Sequence, residues 1–239
     1  MKEKGCLYLV PTTISQNPLE EILPVYTLKR IQNLKTFICE NKKTARNHIK
    51  NIVKKTIREV NFLEIEKHKN FDAKSAGIFL KRLNKGEDVG LISESGCPGV
   101  ADPGTEIVLA CHQQNIKVVP LIGPSSILMA LMASGLNGQH FKFVGYLSKE
   151  PEKRRKDIKN LEQESKKKST SMIIMETPFR SEYLWKDLIL NCNPTTLVTI
   201  AVEISTKDEY IKTARASQWG NMKWPNLNKK RVIFLLQAF

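Results

Sequence analysis

The residues best suited to chemistry lie in Leu91-Ile-Ser-Glu-Ser-Gly-Cys-Pro-Gly-Val-Ala-Asp-Pro-Gly104. An apolar run ends at Ser93. Gly96, Gly99 and Gly104 then permit backbone conformations that a side chain would block, while Pro98 and Pro103 stiffen the loop. Such a loop can aim main-chain N–H and C=O groups at a ligand without a large ordering cost. A second turn, Pro120-Leu-Ile-Gly-Pro-Ser-Ser126, closes the next apolar run. There Gly123 permits close approach of a ligand, and Ser125 and Ser126 can cap a helix or donate hydroxyl hydrogen bonds. A single turn of this composition is ordinary strand-to-helix punctuation. Two in succession, the first so dense in Gly and Pro, point to a binding site. Neither is a nucleotide fingerprint: no G-x-G-x-x-G follows the first strand and no G-K-[ST] occurs, which disfavours nicotinamide cofactors and nucleoside triphosphates.

The elements that must position these turns follow from periodicity. Cys6–Val10, Thr36–Cys39, Asn61–Ile65, Val89–Ser93 and Lys117–Ile122 read as buried strands. Between them Lys42–Thr56, Asp72–Asn84, Gly104–Gln114 and Ser125–Ser134 carry apolar residues at helical spacing. In the second of these Ala76, Phe79, Leu80 and Leu83 share one face, with Asp72 as N-cap. Strand–helix alternation predicts an α/β fold with a mostly parallel sheet and helices on both faces, and places both turns at the carboxyl ends of strands, where such sheets bind ligands. After Gly138 the rhythm changes. Strands are expected at Phe141–Leu147, Met172–Met175, Leu197–Ile204, Glu209–Thr213 and Val232–Leu236, and helices at Pro151–Ser169 and near Arg180–Leu190, giving a mixed sheet. Gly135-Leu-Asn-Gly138 supplies turn chemistry for a boundary, so the expected domains are 1–137 and 138–239.

Composition narrows the class. Hydrophobic residues make up 41% and charged residues 26%, the balance of a globular chain. No apolar run approaches the roughly 20 residues needed to cross a bilayer, and the start is too short for a secretion signal, so the sequence predicts a cytosolic protein. The five cysteines, Cys6, Cys39, Cys97, Cys111 and Cys192, contain no C-x-x-C, and the four histidines are scattered; neither a disulfide framework nor a metal site is indicated. The formal charge of +14 fits a phosphate-rich partner such as nucleic acid, and equally a lysine-rich surface. Lys149–Lys168 is the best nucleic-acid footprint, though its acidic residues also fit a solvated helix face. Trp185 reads as core; the Trp219–Trp224 segment reads as more exposed.

The chain resembles the tetrapyrrole (corrin/porphyrin) methylase superfamily, and within it the branch that methylates a cytidine ribose 2′-hydroxyl in small-subunit ribosomal RNA. The resemblance runs through Gly5–Val10, Ser93–Gly104, Gly123-Pro-Ser125 with Ser134-Gly-Leu136, Phe143–Leu147, Glu176-Thr-Pro-Phe-Arg180 and Ala201–Lys207. It implies S-adenosylmethionine folded between two α/β domains, held largely by main chain, in a homodimer without metal. Carried over by position, Pro11, Cys97, Val100, Ser125 and Ser126 contact the cofactor, and Met175 and Ala201 close its adenine side. Cys97 stands where the branch has Thr, and a thiol is the weaker hydrogen-bond partner. Other departures, Thr12–Asn17, Glu40–Lys43, Lys67–Asn70 and Glu94, cluster where substrate rather than cofactor is expected and accommodate a diverged paralogue.

Methyl transfer from a sulfonium is an in-line displacement, so the protein mainly positions the partners and accepts a proton. For a ribose hydroxyl the candidates are Glu40, Glu203 and Lys207, with Arg46 and Arg180 as phosphate or ribose contacts; each equally suits a surface ion pair. The leading expectation is RNA methylation. A small-molecule, tetrapyrrole-like acceptor and a catalytically weakened RNA- or ribosome-binding paralogue are the alternatives.

Overall fold

The computed structural model describes residues 3–53, 57–65 and 73–239. The chain divides into two compact units, Met1–Ser125 and Ser126–Phe239. The first holds strands β1 (Leu7–Val10), β2 (Thr36–Cys39), β3 (Asn61–Glu64), β4 (Val89–Ile92) and β5 (Val118–Pro120), in the order β3-β2-β4-β1-β5 with every pairing parallel. Its helices are α1 (Leu19–Ile22), α2 (Val25–Asn33), α3 (Lys42–Lys50), α4 (Ala73–Asn84) and α5 (Thr105–Gln113). All five strands expected from periodicity are present. The helices α1 and α2 lay hidden in the sequence because Pro18 and Pro24, which precede them, read as loop punctuation. The expected helix at Lys42–Thr56 stops at Lys50: Ile52 and Val53 both turn their N–H groups back to the Ile49 carbonyl. Asp72 and the Lys67–Asn70 stretch lie outside the described residues.

Alternation along the strands sorts the core into two layers. Tyr8, Val10, Phe37, Cys39 and Ile92 pack with Leu23 and Ile31 of the α1–α2 region and with Ala45 and Ile49 of α3. Leu7, Ile38, Val89 and Leu91 pack on the opposite face with Phe79, Leu80 and Leu83 of α4 and Ile107 and Cys111 of α5. The segments after β1 and β2 therefore cover one face, and those after β3 and β4 cover the other. This is the expected consequence of connections that run in opposite directions along a parallel sheet.

The second unit begins with α6 (Ser126–Ser134) and continues β6 (Phe141–Gly145), α7 (Pro151–Lys168), β7 (Ser171–Glu176), α8 (Ser181–Asn191), β8 (Leu197–Val202), β9 (Tyr210–Arg215), α9 (Ala216–Trp219) and β10 (Val232–Gln237). Its strand order is β6-β7-β10-β8-β9, parallel only between β6 and β7, so the sheet is mixed as expected. The units part at Ser125/Ser126, a helix ahead of the 137/138 boundary read from Gly135–Gly138. The reason is α6, which packs on β9 and β10, where the Thr213 hydroxyl donates to the Ser134 carbonyl at 2.7 Å.

An aromatic cluster anchors this unit. Trp185 and Trp219 are both fully buried and meet edge-on at 4.8 Å, with Phe234 stacked on Trp185 at 5.9 Å. Trp219 is thus core rather than exposed, and its indole N–H donates to the Val198 carbonyl at 3.0 Å. Over the cluster lies α7, whose charges are partly spent internally. Arg154 and Asp187 form a buried pair at 2.6 Å, their side chains 8% and 9% exposed, and Arg155 reaches the other Asp187 oxygen at 3.3 Å. A buried pair loses most when one partner is removed, because the survivor keeps its desolvation penalty. Asp187→Ala should therefore cost about 3–5 kcal/mol. All three tryptophans lie in this unit, so urea unfolding followed by tryptophan fluorescence reads its stability directly.

Candidate active site

Because β1 is hydrogen-bonded to β4 on one side and β5 on the other, all parallel, three chain segments leave the sheet side by side: Pro11 onward, Ser93 onward and Leu121 onward. The segments then hold one another. The Thr12 N–H donates to the Gly96 carbonyl at 2.9 Å, and the Ser93 hydroxyl donates to the same oxygen at 2.9 Å. The Thr12 and Ser93 hydroxyls lie 3.3 Å apart. Gly96 meets these demands at φ +74°, in the left-handed region that favours glycine. On the far side the Cys97 thiol donates to the Pro124 carbonyl at 3.4 Å. Burial pushes the Cys97 pKa up, which keeps the thiol neutral and able to donate. Gly123 packs directly on Pro11, where a Cβ would overlap the proline ring.

The two turns singled out in the sequence thus converge, and Pro11 and Thr12 join them. This edge is also a switch point: the chain leaves β1 toward β2 on one side and leaves β4 toward β5 on the other, the arrangement in which α/β sheets open a crevice at their carboxyl end. The outer side of the loop offers room for a ligand. Nothing lies within 4 Å of a Cβ built on Gly99, and Val100 is half exposed.

Beside the join is a cleft of about 500 Å³, lined by Thr12, Thr13, Ser93 and Glu94 from the strand ends and by Thr44, Ala45, Asn47, His48 and Asn51 from α3 and its C-cap. Its walls are mostly hydroxyls and amides, with one carboxylate and one imidazole. The α3 residues recur at intervals of three and four, beside the apolar stripe of Ala45 and Ile49 that seats the helix on the sheet. That spacing was the signal available in the sequence for His48, which the sequence reading passed over as one of four scattered histidines. Burial lowers the His48 pKa below the ordinary 6.5, and the nearby Pro11 backbone acts more weakly in the opposite direction.

The remaining expected residues fall in several places. Glu40 follows β2 directly and is half-buried; Arg46 is exposed on α3 with its guanidinium 5.5 Å from the Phe62 ring centroid. Neither lines the cleft. Glu203 is held by Arg231, whose N–H donates to it at 2.6 Å and whose guanidinium lies at 3.0 Å. Hydrogen bonds from that guanidinium keep its carboxyl below the usual carboxylate range, the wrong direction for a strong base. Lys207 is exposed in the turn between β8 and β9. Arg180 binds both oxygens of the buried Glu176 and donates to the Leu147 carbonyl, which ties the start of α8 to the end of β7. Met175 and Ala201 sit in one rung of the second sheet, on either side of Ile233. Ser125 ends the first unit and Ser126 opens α6. Among the described residues, no group of three or more His, Cys, Asp or Glu is placed to hold a metal ion.

Comparison with known proteins places the chain in a family. The family model for tetrapyrrole (corrin/porphyrin) methylases matches residues 19–219. The chain belongs to that family. The methylase is 31% identical over 243 residues to the ribosomal RNA small subunit methyltransferase I of Buchnera aphidicola subsp. Schizaphis graminum (strain Sg), covering all of this chain and 80% of that protein. It is 34% identical over 130 residues to the protein of the same name from Synechocystis sp. (strain ATCC 27184 / PCC 6803 / Kazusa), 54% of this chain and 45% of the relative. With the Bacillus subtilis (strain 168) protein of that name it shares 31% identity over 180 residues, 74% of this chain and 56% of the relative. Among solved structures, the methyltransferase CobJ matches with a TM-score of 0.61 at 17% identity, over 98% of this chain and 94% of that one. Cobalt precorrin-4 methyltransferase matches at 0.60 and 14%, over 97% and 94%. Those two likenesses concern the fold. The methylase is an S-adenosylmethionine-dependent methyltransferase.

Gly123→Ala tests whether the join of the strand ends is what holds the donor. The added methyl must push Pro11 away, at a cost of about 1–3 kcal/mol for overpacking. We expect calorimetric titration to show S-adenosylhomocysteine binding weakened about tenfold or more, which a shift of about 1.4 kcal/mol produces. Unchanged affinity would mean that the join does not shape the donor site.

Proposed function

We propose that this methylase transfers a methyl group from S-adenosylmethionine to RNA, the acceptor being a cytidine ribose 2′-hydroxyl of the small ribosomal subunit. The observation that carries the donor side is the convergence of three strand ends through Thr12, Gly96 and Pro124. Support for the acceptor side comes from relatives named ribosomal RNA small subunit methyltransferase I, one of them matched along the whole chain, and from the net charge of +14. A tetrapyrrole acceptor has only the likeness of fold behind it, at 14–17% identity.

In this reading the main chain around Pro11, Cys97, Val100 and Ser125 contacts the donor. The other members of the expected contact set, Ser126, Met175 and Ala201, belong to the second unit. Bound S-adenosylmethionine supplies an electrophilic methyl group on a sulfonium whose charge disappears on transfer. The protein's work is accordingly to orient donor and acceptor in line, exclude water and take up one proton. Exposed Arg46, beside the cleft-lining Ala45 and Asn47, is the proposed phosphate contact. Arg180 uses Nε and one terminal nitrogen on Glu176 and Leu147 while its other terminal nitrogen is buried, which suits it better to shape the second unit than to hold RNA. A homodimeric assembly acting in the cytosol belongs to the same reading.

Two measurements test it in sequence. Calorimetric titration with S-adenosylmethionine should give saturable binding; no binding would remove the enzymatic reading and favour an RNA- or ribosome-binding paralogue. Labelled donor should then place label in the RNA of unmodified small subunits. Donor binding with label in no RNA would sink the RNA assignment. Arg46→Ala should weaken subunit binding and flatten its salt dependence by about one phosphate contact.

A further inference from the structure

Three features of His48 set it apart from every other titratable side chain in the cleft. It lines the cleft from α3. The backbone of Pro11, the residue that packs on Gly123 at the join, is close enough to influence its ring. Its Nε2 is buried with no hydrogen-bond partner among the described residues. With Nε2 unbonded, the neutral ring offers a lone pair there whenever Nδ1 carries the proton. A buried acceptor without a donor is a standing cost, which a ligand hydroxyl can relieve.

We propose that the cleft beside the join admits the acceptor ribose and that His48 Nε2 is the general base of methyl transfer. This rests on the RNA reading above. The acceptor oxygen bonds to the donor's methyl carbon while the carbon–sulfur bond breaks with its electron pair left on sulfur, and the hydroxyl proton passes to Nε2. One positive charge leaves the sulfonium and one arises on the imidazolium, so atoms and charge balance. The neighbouring Thr44 and Asn47 side chains are exposed, which leaves them free to rearrange as the acceptor enters. Thr12, next to Pro11, lines the same cleft and is bonded to Gly96, so the base and the donor loop meet at one segment.

The charged surroundings leave the base unpaired. Glu94 is the other titratable group of the cleft. On α3 itself lie Lys42, Lys43, Arg46 and Lys50; Glu64 of β3 is paired with Lys42, and the turn at Ile57–Glu59 adds Arg58 and Glu59. Burial and the Pro11 backbone are the two influences on the His48 pKa, and the larger, burial, lowers it. The sign follows directly: the ring is neutral at pH 7, and activity is lost as pH falls through the lowered pKa.

The test uses His48→Asn, whose amide keeps an N–H donor near the place of Nδ1 and removes the basic nitrogen, with His48→Ala removing both. Ring-nitrogen NMR of the wild-type protein should report the Nδ1–H tautomer and a pKa below 6.5. His48→Asn should bind S-adenosylhomocysteine within about threefold of wild type yet methylate unmodified small subunits about 100-fold more slowly at pH 7.5, without the acid limb of the wild-type profile. An Nε2–H tautomer, or His48→Asn turnover within about threefold of wild type, would overturn the proposal while leaving RNA methylation standing. A wild-type protein that binds S-adenosylhomocysteine but labels no subunit RNA would overturn both.

Discussion

The first unit depends on a single join. Parallel pairing of β1 between β4 and β5 brings three strand ends into adjacency, but adjacency alone leaves three loops with unpaired main-chain groups. The Gly96 carbonyl resolves this by accepting from both Thr12 and Ser93, and the Pro124 carbonyl by accepting from Cys97. The absence of a side chain at Gly123 then lets Pro11 close on the third loop. Everything that recommends this edge as a ligand site, its preorganised main chain and its open outer side, follows from those few contacts.

The same join explains how a thiol serves at Cys97, where the resembled branch carries a hydroxyl. The partner of Cys97 is a carbonyl, which needs only a donor, and burial keeps the thiol protonated. A weak donor suffices when its loop is already fixed through Gly96. The neighbouring cleft has a different character. Its walls come from the polar stripe of α3 and from the strand ends, and are mostly hydroxyls and amides beside the His48 imidazole and the Glu94 carboxylate, groups suited to the hydrogen-bonding edges of a polar ligand. The proposed donor and acceptor sites thus differ in kind, main chain at the strand ends against side chains on a helix.

The second unit manages charge differently from the way its composition implies. Its most basic helix, α7, uses Arg154 and Arg155 to grip Asp187 of α8, and Glu164 holds both Lys142 and Lys168. The positive charge left for a polyanion is what remains after these internal pairings, carried by exposed lysines such as Lys153, Lys156 and Lys167.

Periodicity determined most of the architecture, because buried strands and amphipathic helices leave local marks: all ten strands, the mixed second sheet and the two Gly/Pro turns were legible. The turns were also legible as a pair, since glycine and proline restrict the backbone wherever they stand. Roles that depend on pairing were not. Glu203 and Arg180 suited either a functional role or an ion pair, and the partners that form those pairs, Arg231 and Glu176, lie 28 and four residues away, in contacts that only the folded sheet and helix ends create. The fully buried Trp219 lay in a segment that read as exposed, and α6 joined the second unit through its packing on β9 and β10. His48 is the sharpest case. Its helical spacing was visible, but its meaning came from its place in the cleft beside Thr12 and Ser93 and from a buried Nε2 left without a partner. Sequence fixes what each segment can form by itself; only tertiary structure decides which polar groups are already satisfied, and so which remain available for chemistry.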